Sequence, residues 1–199
     1  ARGKAFEELG KNAEAKADYD KAAVFSPKDV NTFVRLGAVS YKLGQFQEAL
    51  VHLNRATGLD KRNKDAYPEK VKTLLKLEKF DQAKLASDTA MILLKDNPMT
   101  YYWRGVIYAR LNNDFSAKKE FEKAIAKDKK LAEPRLELAE ILLKEGDSQG
   151  AMAQCNEIIK NDDRNTSAYL MRSKVYKANI DFPNAINDIS KNILLDPRN

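Results

Sequence analysis

Cysteine is almost absent. Cys155 stands alone, so no disulfide can close within the chain and the redox compartment stays open. Histidine is as scarce, and one Cys with His52 cannot supply the roughly four ligands of a zinc site. No apolar run approaches the roughly 20 residues that span a bilayer, which excludes direct membrane insertion by a helix of this segment. Signal-peptide and lipidation motifs are missing, as is any glycine-rich phosphate loop. His52 falls on a helix beside Leu53 and is expected to face solvent, while Cys155 falls in a core column and reads as a buried structural thiol. Nothing here assembles a catalytic constellation. The expectation is no enzyme, no metal and no cofactor.

Charge of one sign is not in great excess either. Lys and Arg total 35 against 29 Asp and Glu, a net charge of +6, and the two signs are interspersed. That is a solvated, mildly basic surface and not a nucleic-acid footprint. The hydrophobic share of 43% suffices for a core.

What the chain does have is a period. Ala15, Ala49, Ala83, Ala117, Ala151 and Ala185 stand on one unbroken spacing of 34 residues. Within it, Ala117, Phe121 and Ala124 share one helix face at i, i+4 and i+7. A column of small residues keeps the same register: Gly3, Gly37, Gly105, Ala139 and Ser173, with Val71 the exception. Sixteen residues after each comes Tyr19, Leu53, Ser87, Phe121, Cys155 and Ile189. A third column holds Phe33, Tyr67, Tyr101 and Tyr169, broken by Arg135.

This pattern resembles a tetratricopeptide repeat (TPR) array, whose period is 34 residues. Residues 30–63 carry the likeness best, through Phe33, Leu36-Gly37, Phe46, Ala49, Leu53 and Ala56, and the last repeat ends in the family manner at Asp196-Pro197. The resemblance covers the whole chain. It implies an all-α fold, an α-α superhelix or solenoid of about six helix–turn–helix repeats, right-handed and touching mainly neighbour to neighbour. The repeats are 30–63, 64–97, 98–131, 132–165 and 166–199, with 1–29 partial, and no linker divides them, so one array over 1–199 is expected. The family register puts Ala1 inside a helix and Asn199 where another repeat would begin, which predicts an excerpt from a longer protein.

The local signals agree with that register. In 30–63 the helices are expected near 30–43 and 46–59, with Gly44-Gln45 between them. Gly10, Gly146 and Asn112-Asn113 repeat that turn, since Gly and then Asn best tolerate a left-handed backbone. Pro27, Pro98 and Pro197 punctuate inter-repeat loops, while Pro68 and Pro134 fall in first turns, where a missing N–H costs nothing. Val71 with Ser87 reads as a volume-conserving exchange of the usual small and large partners. Asn179 and Asn192 weaken the last repeat, which suits a capping-like role or a junction.

The resemblance also implies that first helices line a concave groove. The inward positions left after the core columns are filled carry an apolar strip: Val34, Tyr41, Leu75, Tyr102, Val106, Leu136, Leu143 and Leu170. Lys72, Glu140, Lys174 and Lys177 stand among them, and Lys42, Lys76, Arg110 and Lys144 form a basic row alongside. Apolar anchors give affinity and charges steer encounter, so the expected partner is a protein or peptide segment with acidic residues. The same basic row also fits a cation ending each first helix, against the negative dipole end. Trp103 is either an anchor at the groove or packing, and the Glu133, Glu137, Glu140 face greets solvent or a basic partner.

Chaperone-binding TPR domains grip a terminal carboxylate with a Lys and Asn constellation. The matching places here carry Val34, Ala38, Glu69 and Trp103, so that clamp is not assembled. Nucleic acid is disfavoured, because no polar base-reading pair repeats with the period, although an RNA-associated helical-repeat protein is the alternative class. Self-association through an exposed end of the array is another. A place in a bacterial envelope secretion or motility assembly is a finer expectation. The compartment is then cytoplasm, or periplasm if the full chain carries a lipoprotein signal.

Overall fold

Six residues adopt a left-handed backbone among those the structure describes: Gly10 (φ 70°), Gly44 (76°), Glu78 (55°), Asn112 (57°), Gly146 (86°) and Ile180 (61°). They stand on the same 34-residue spacing as the alanines, and each ends the first helix of a pair. The following N–H reaches back to the carbonyl five residues earlier in all six cases, as Gln45 N does to Ser40 O at 2.9 Å and Asp181 N to Tyr176 O at 2.9 Å. This is the Schellman closure, which satisfies orphan carbonyls and reverses the chain. Glycine and asparagine announce the turn at four positions; at Glu78 and Ile180 the register imposes it on residues that disfavour it.

The structure is a computed structural model and describes residues 2–196. Asn199, Pro197 and Ala1, on which the expected excerpt and family-style ending partly rested, lie outside the described residues. All regular elements among the described residues are helices. Two compact units divide the chain at Lys95 and Asp96.

The N-terminal unit contains α1 (Arg2–Glu8), α2 (Asn12–Phe25), α3 (Val30–Lys42), α4 (Phe46–Leu59), α5 (Ala66–Lys76) and α6 (Phe80–Leu93). Each helix packs on the next, and the first helices α3 and α5 also touch each other directly. Its core includes Val34, Ala56 and Ala66, with Val30 and Phe33 against them. The small column works as the spacing implies. A Cβ on Gly37 would sit 2.5 Å from Leu53 Cγ, so only glycine lets α3 approach α4 this closely. In the next pair Val71 and Ser87 are both fully buried.

The C-terminal unit contains α7 (Pro98–Arg110), α8 (Asp114–Lys127), α9 (Glu133–Lys144), α10 (Ser148–Asn161), α11 (Thr166–Ala178) and α12 (Phe182–Leu195). Successive helices pack again, and α7 meets α9 as α9 meets α11. Gly105 has no room for a side chain, because the Phe121 ring fills its place. Cys155 lies in the core with Ala139, Ala151, Met171 and Val175, and burial pushes its thiol up to about 11. An inert, protonated thiol results.

Four local expectations change. Pro98 is the first residue of α7 and belongs to its opening turn, not to the preceding loop. His52 does not face solvent: its Nε2 is buried and its ring stacks on Phe33, centroids 6.4 Å apart. Arg135 breaks its aromatic column in kind but not in job. Tyr67 and Tyr169 each donate to the carbonyl six residues earlier, and Arg135 Nη2 does the same to Lys129 O at 3.2 Å. Asn192 is buried, and its Nδ2 donates to Thr166 O at 2.7 Å. That polar position ties α12 to the start of α11.

Candidate functional site

Between α1, α3 and α5 of the N-terminal unit lies an open cavity of about 750 Å³. Val34, Ala38, Tyr41 and Pro68 give it an apolar floor, and Asn31 and Asp65 close one end. Of the residues expected in a groove, Val34, Tyr41, Lys42 and Lys72 meet here. Tyr41 is fixed edge-on against Phe46, ring centroids 5.2 Å apart, and burial followed by the Glu69 charge raises its hydroxyl pKa.

The cations of this cavity are already partnered. Lys42 Nζ is 2.9 Å from Glu7 Oε1 and Lys72 Nζ is 2.6 Å from Glu69 Oε1. Arg35 stands 3.5 Å from the other Glu7 oxygen, to which the Tyr19 hydroxyl also donates. Burial pushes the Glu7 carboxyl up, but the Lys42 hydrogen bond and charge, with Tyr19 and Arg35, bring it below the ordinary glutamate value. Glu7, Asp65 and Glu69 thus balance Arg35, Lys42 and Lys72. Around this cavity the charges cancel, while Lys76 of the same unit does not line it.

In the C-terminal unit a smaller depression of about 190 Å³ gathers Leu136, Glu140, Leu170 and Lys174 with Glu137, Ser167 and Met171. Leu170 is 44% exposed, an open apolar contact. Glu137 does not greet solvent: it is half-buried, and desolvation raises its pKa, with Arg110 opposing and Glu140 adding to the shift. Lys174 lies 3.4 Å from Glu140 at the rim. This depression leans acidic.

The remaining expected positions divide. Trp103 and Val106 are each only 8% exposed, so Trp103 packs inside the unit. Tyr102 is half-buried with its ring 6.2 Å from that of Phe121. Leu75 is half-covered, and Leu143 packs beneath against the Ala139 cluster. Lys42, Lys76, Arg110, Lys144 and Lys177 each occupy the last turn of a first helix, where they meet the negative dipole end. Lys42 and Lys144 also reach back to the preceding pair, Lys144 to Asp114 at 2.7 Å. Lys76, Arg110 and Lys177 are exposed.

Sequence columns did not reveal one further set of residues. Arg2, Arg104 and Arg172 each bridge to an acid 16 residues on, Asp18, Glu120 and Asp188, at 2.6, 3.0 and 2.7 Å. Each bridge joins the two helices of one pair. Among the described residues no group of His, Cys, Asp and Glu could hold a metal ion, and no helix is long and apolar enough to cross a membrane.

Paired helices with a common turn, a small-residue crossing and, within each unit, first helices that touch one another define a helical-repeat protein. A sequence profile of the tetratricopeptide repeat matches residues 116–174, and a second profile of the same repeat matches 1–29 and 100–130. The chain belongs to the tetratricopeptide repeat family. Stress-induced-phosphoprotein 1 of Caenorhabditis elegans is 24% identical over 196 residues, spanning 82% of this chain and 61% of that protein. Hsp70-Hsp90 organizing protein 1 of Glycine max is 25% identical over 183 residues, 90% of this chain but only 32% of that protein. Among solved structures, a tetratricopeptide repeat protein from Parabacteroides merdae ATCC 43184 superposes with a TM-score of 0.80 at 21% identity, covering 97% of this chain and 76% of that one.

Proposed function

We propose that the protein is a non-catalytic scaffold that holds segments of partner polypeptides on the first-helix faces of its two units. The observation that carries this reading is the apolar floor of Val34, Ala38, Tyr41 and Pro68 inside a cavity of about 750 Å³, with its charges internally balanced. A floor of that kind takes up apolar side chains, and a neutral rim leaves orientation to hydrogen bonds. Acidic residues of a partner find their cations at exposed Lys76, Arg110 and Lys177, because Lys42 and Lys72 are occupied. The clamp of chaperone-binding relatives stays outside the proposal, since Val34 and Trp103 are buried where it would need polar groups.

Photocrosslinking tests it. A crosslinking amino acid at Ala38 or at Leu170 is expected to capture one and the same partner from the native host, while one at exposed Val51 on α4 does not. Capture from position 51 alone defeats the reading. The finer version seats the scaffold in a bacterial envelope secretion or motility assembly, and the full-length gene tests that by the presence or absence of an N-terminal lipobox. Self-association is a second reading, favoured by α12, where Phe182, Ile186, Ile189 and Ile193 form one apolar stripe 43–63% exposed. Sedimentation of Ile186→Glu with Ile193→Glu as a lighter species than the parent would support it.

A further inference from the structure

The bridges at 16-residue spacing follow a rule that one repeat breaks. The position held by Arg2, Arg104 and Arg172 carries leucine at Leu36 and Leu138, and there the position opposite is His52 or Gln154 and not an acid. Where the position is cationic, the one opposite is a carboxylate, with a single exception. Lys70 faces Ala86. Its ammonium is half-buried and makes one hydrogen bond, to Thr57 Oγ1 at 3.3 Å. Among the described residues no carboxylate lies within ion-pair distance of it. Burial alone pulls its pKa below the ordinary lysine value, with no charged neighbour acting against that pull.

The space that an acid would fill is open. A crevice of about 310 Å³ is bounded by both Lys70 and Ala86, the two positions joined by a bridge elsewhere. Asn54 and Gln82 bring amides to it, Tyr67 a ring, and Leu85 an apolar rim that is 70% exposed. The equivalent crevice two repeats earlier, between α1 and α2, is bounded by Arg2 and Asp18 and so contains its own counterion. The crevice at Lys70 lies on a different face of α5 from the cavity floored by Pro68, so nothing here depends on the groove.

We propose that the crevice between α5 and α6 is a carboxylate-binding site, in which an aspartate or glutamate side chain of a partner protein closes on Lys70 as Asp18 closes on Arg2. A partly desolvated ammonium gains most from an anionic acceptor, since charge-assisted hydrogen bonds are the stronger ones, and amides at the wall supply further donors. One lysine is the only cation lining the crevice, which suits a singly charged carboxylate better than a phosphoryl group.

The test is an NMR titration of the lysine side-chain signals with N-acetyl-L-glutamic acid α-amide, at ionic strength held constant with chloride. The Lys70 signal is expected to shift and saturate. Lys70→Met weakens saturation, read from neighbouring amides, by about tenfold or more, the equivalent of one charge-assisted hydrogen bond. Ala86→Glu abolishes the response, because its own carboxylate takes the crevice, while circular dichroism shows its helices intact. An unsaturating drift common to all anions, or a response unchanged in folded Ala86→Glu, overturns the proposal. Saturation by inorganic phosphate at a lower concentration than by the glutamate derivative overturns the carboxylate assignment.

Discussion

Arg172 holds Asp188 by two parallel hydrogen bonds, Nε to Oδ2 at 2.7 Å and Nη2 to Oδ1 at 2.8 Å, across the interior of the α11–α12 pair. Asp188 is 2% exposed, and the guanidinium also accepts the company of the Tyr169 and Tyr176 rings. Removing one partner of such a pair strands the other in a poorly hydrated place. Asp188→Ala is therefore expected to cost about 2–4 kcal/mol in urea unfolding, discounted from a fully buried pair because Arg172 keeps some solvent. The double replacement Arg172→Leu with Asp188→Gln copies the Leu138 and Gln154 pair already present in the chain. It is expected to cost less than Asp188→Ala alone, and a larger loss would show that the bridge stabilises beyond what an uncharged Leu–Gln pair can.

Ile180 carries a β-branched side chain at φ 61°, where its five register mates are Gly, Asn or Glu. Left-handed backbone costs a non-glycine residue about 1–2 kcal/mol, most for a branched one. The side chain returns little, being 75% exposed. Ile180→Gly is expected to stabilise the C-terminal unit by about 1 kcal/mol net of the entropy glycine adds to the unfolded chain, measured as a rise in thermal midpoint. Gly44→Ile, the reverse change at the equivalent turn, lowers it.

Val71 and Ser87, both buried, hold the register positions of Gly37 with Leu53 and of Gly105 with Phe121, and a volume-conserving exchange between them makes a testable expectation. Val71→Gly beside Ser87 opens a void, with an expected loss of about 2 kcal/mol or more. Ser87→Leu alone overpacks the same spot and destabilises as well. The pair Val71→Gly with Ser87→Leu recreates the Gly37 and Leu53 arrangement and recovers most of the loss in a double-mutant cycle. A melting temperature raised by Val71→Gly alone contradicts the exchange.

The period, the helix pairs and the turns were legible in sequence because the features that make them are local or strictly periodic: small residues at crossings, glycine or asparagine at turns, apolar residues at helical spacing. Helices α3 and α4 fall within a residue of their expected bounds. Glu78 and Ile180 gave no turn signal, since there the neighbouring repeats and not the residue dictate the backbone. The arginine–acid bridges were not legible because each column mixes residue types, leucines among the cations and His52, Ala86 and Gln154 among the acids, so no single column looks consistent. The charge of the groove was the least legible. In sequence Lys72 stands among the groove positions and Lys42 in the basic row beside them, and only the fold shows Glu7 arriving from α1 at Lys42 and Glu69 turning toward Lys72.

Glu137 gives a pH signature to the C-terminal depression. Its folded-state pKa is raised, chiefly by burial beside Leu136 and Met171 and further by Glu140, with Arg110 pulling the other way. A raised acid means that the folded chain binds this proton more tightly than the unfolded chain does. Stability therefore falls as pH rises from the ordinary glutamate range through the raised value, and stays lower above it. Glu137→Gln removes the penalty. The variant is expected to melt higher than the parent at pH 7, and the difference is expected to shrink as pH drops toward about 4, where the unfolded carboxyl is protonated too. Thermal midpoints of the two proteins from pH 4 to 8 check the sign. A gain that is the same at every pH would trace to packing and not to the carboxylate charge.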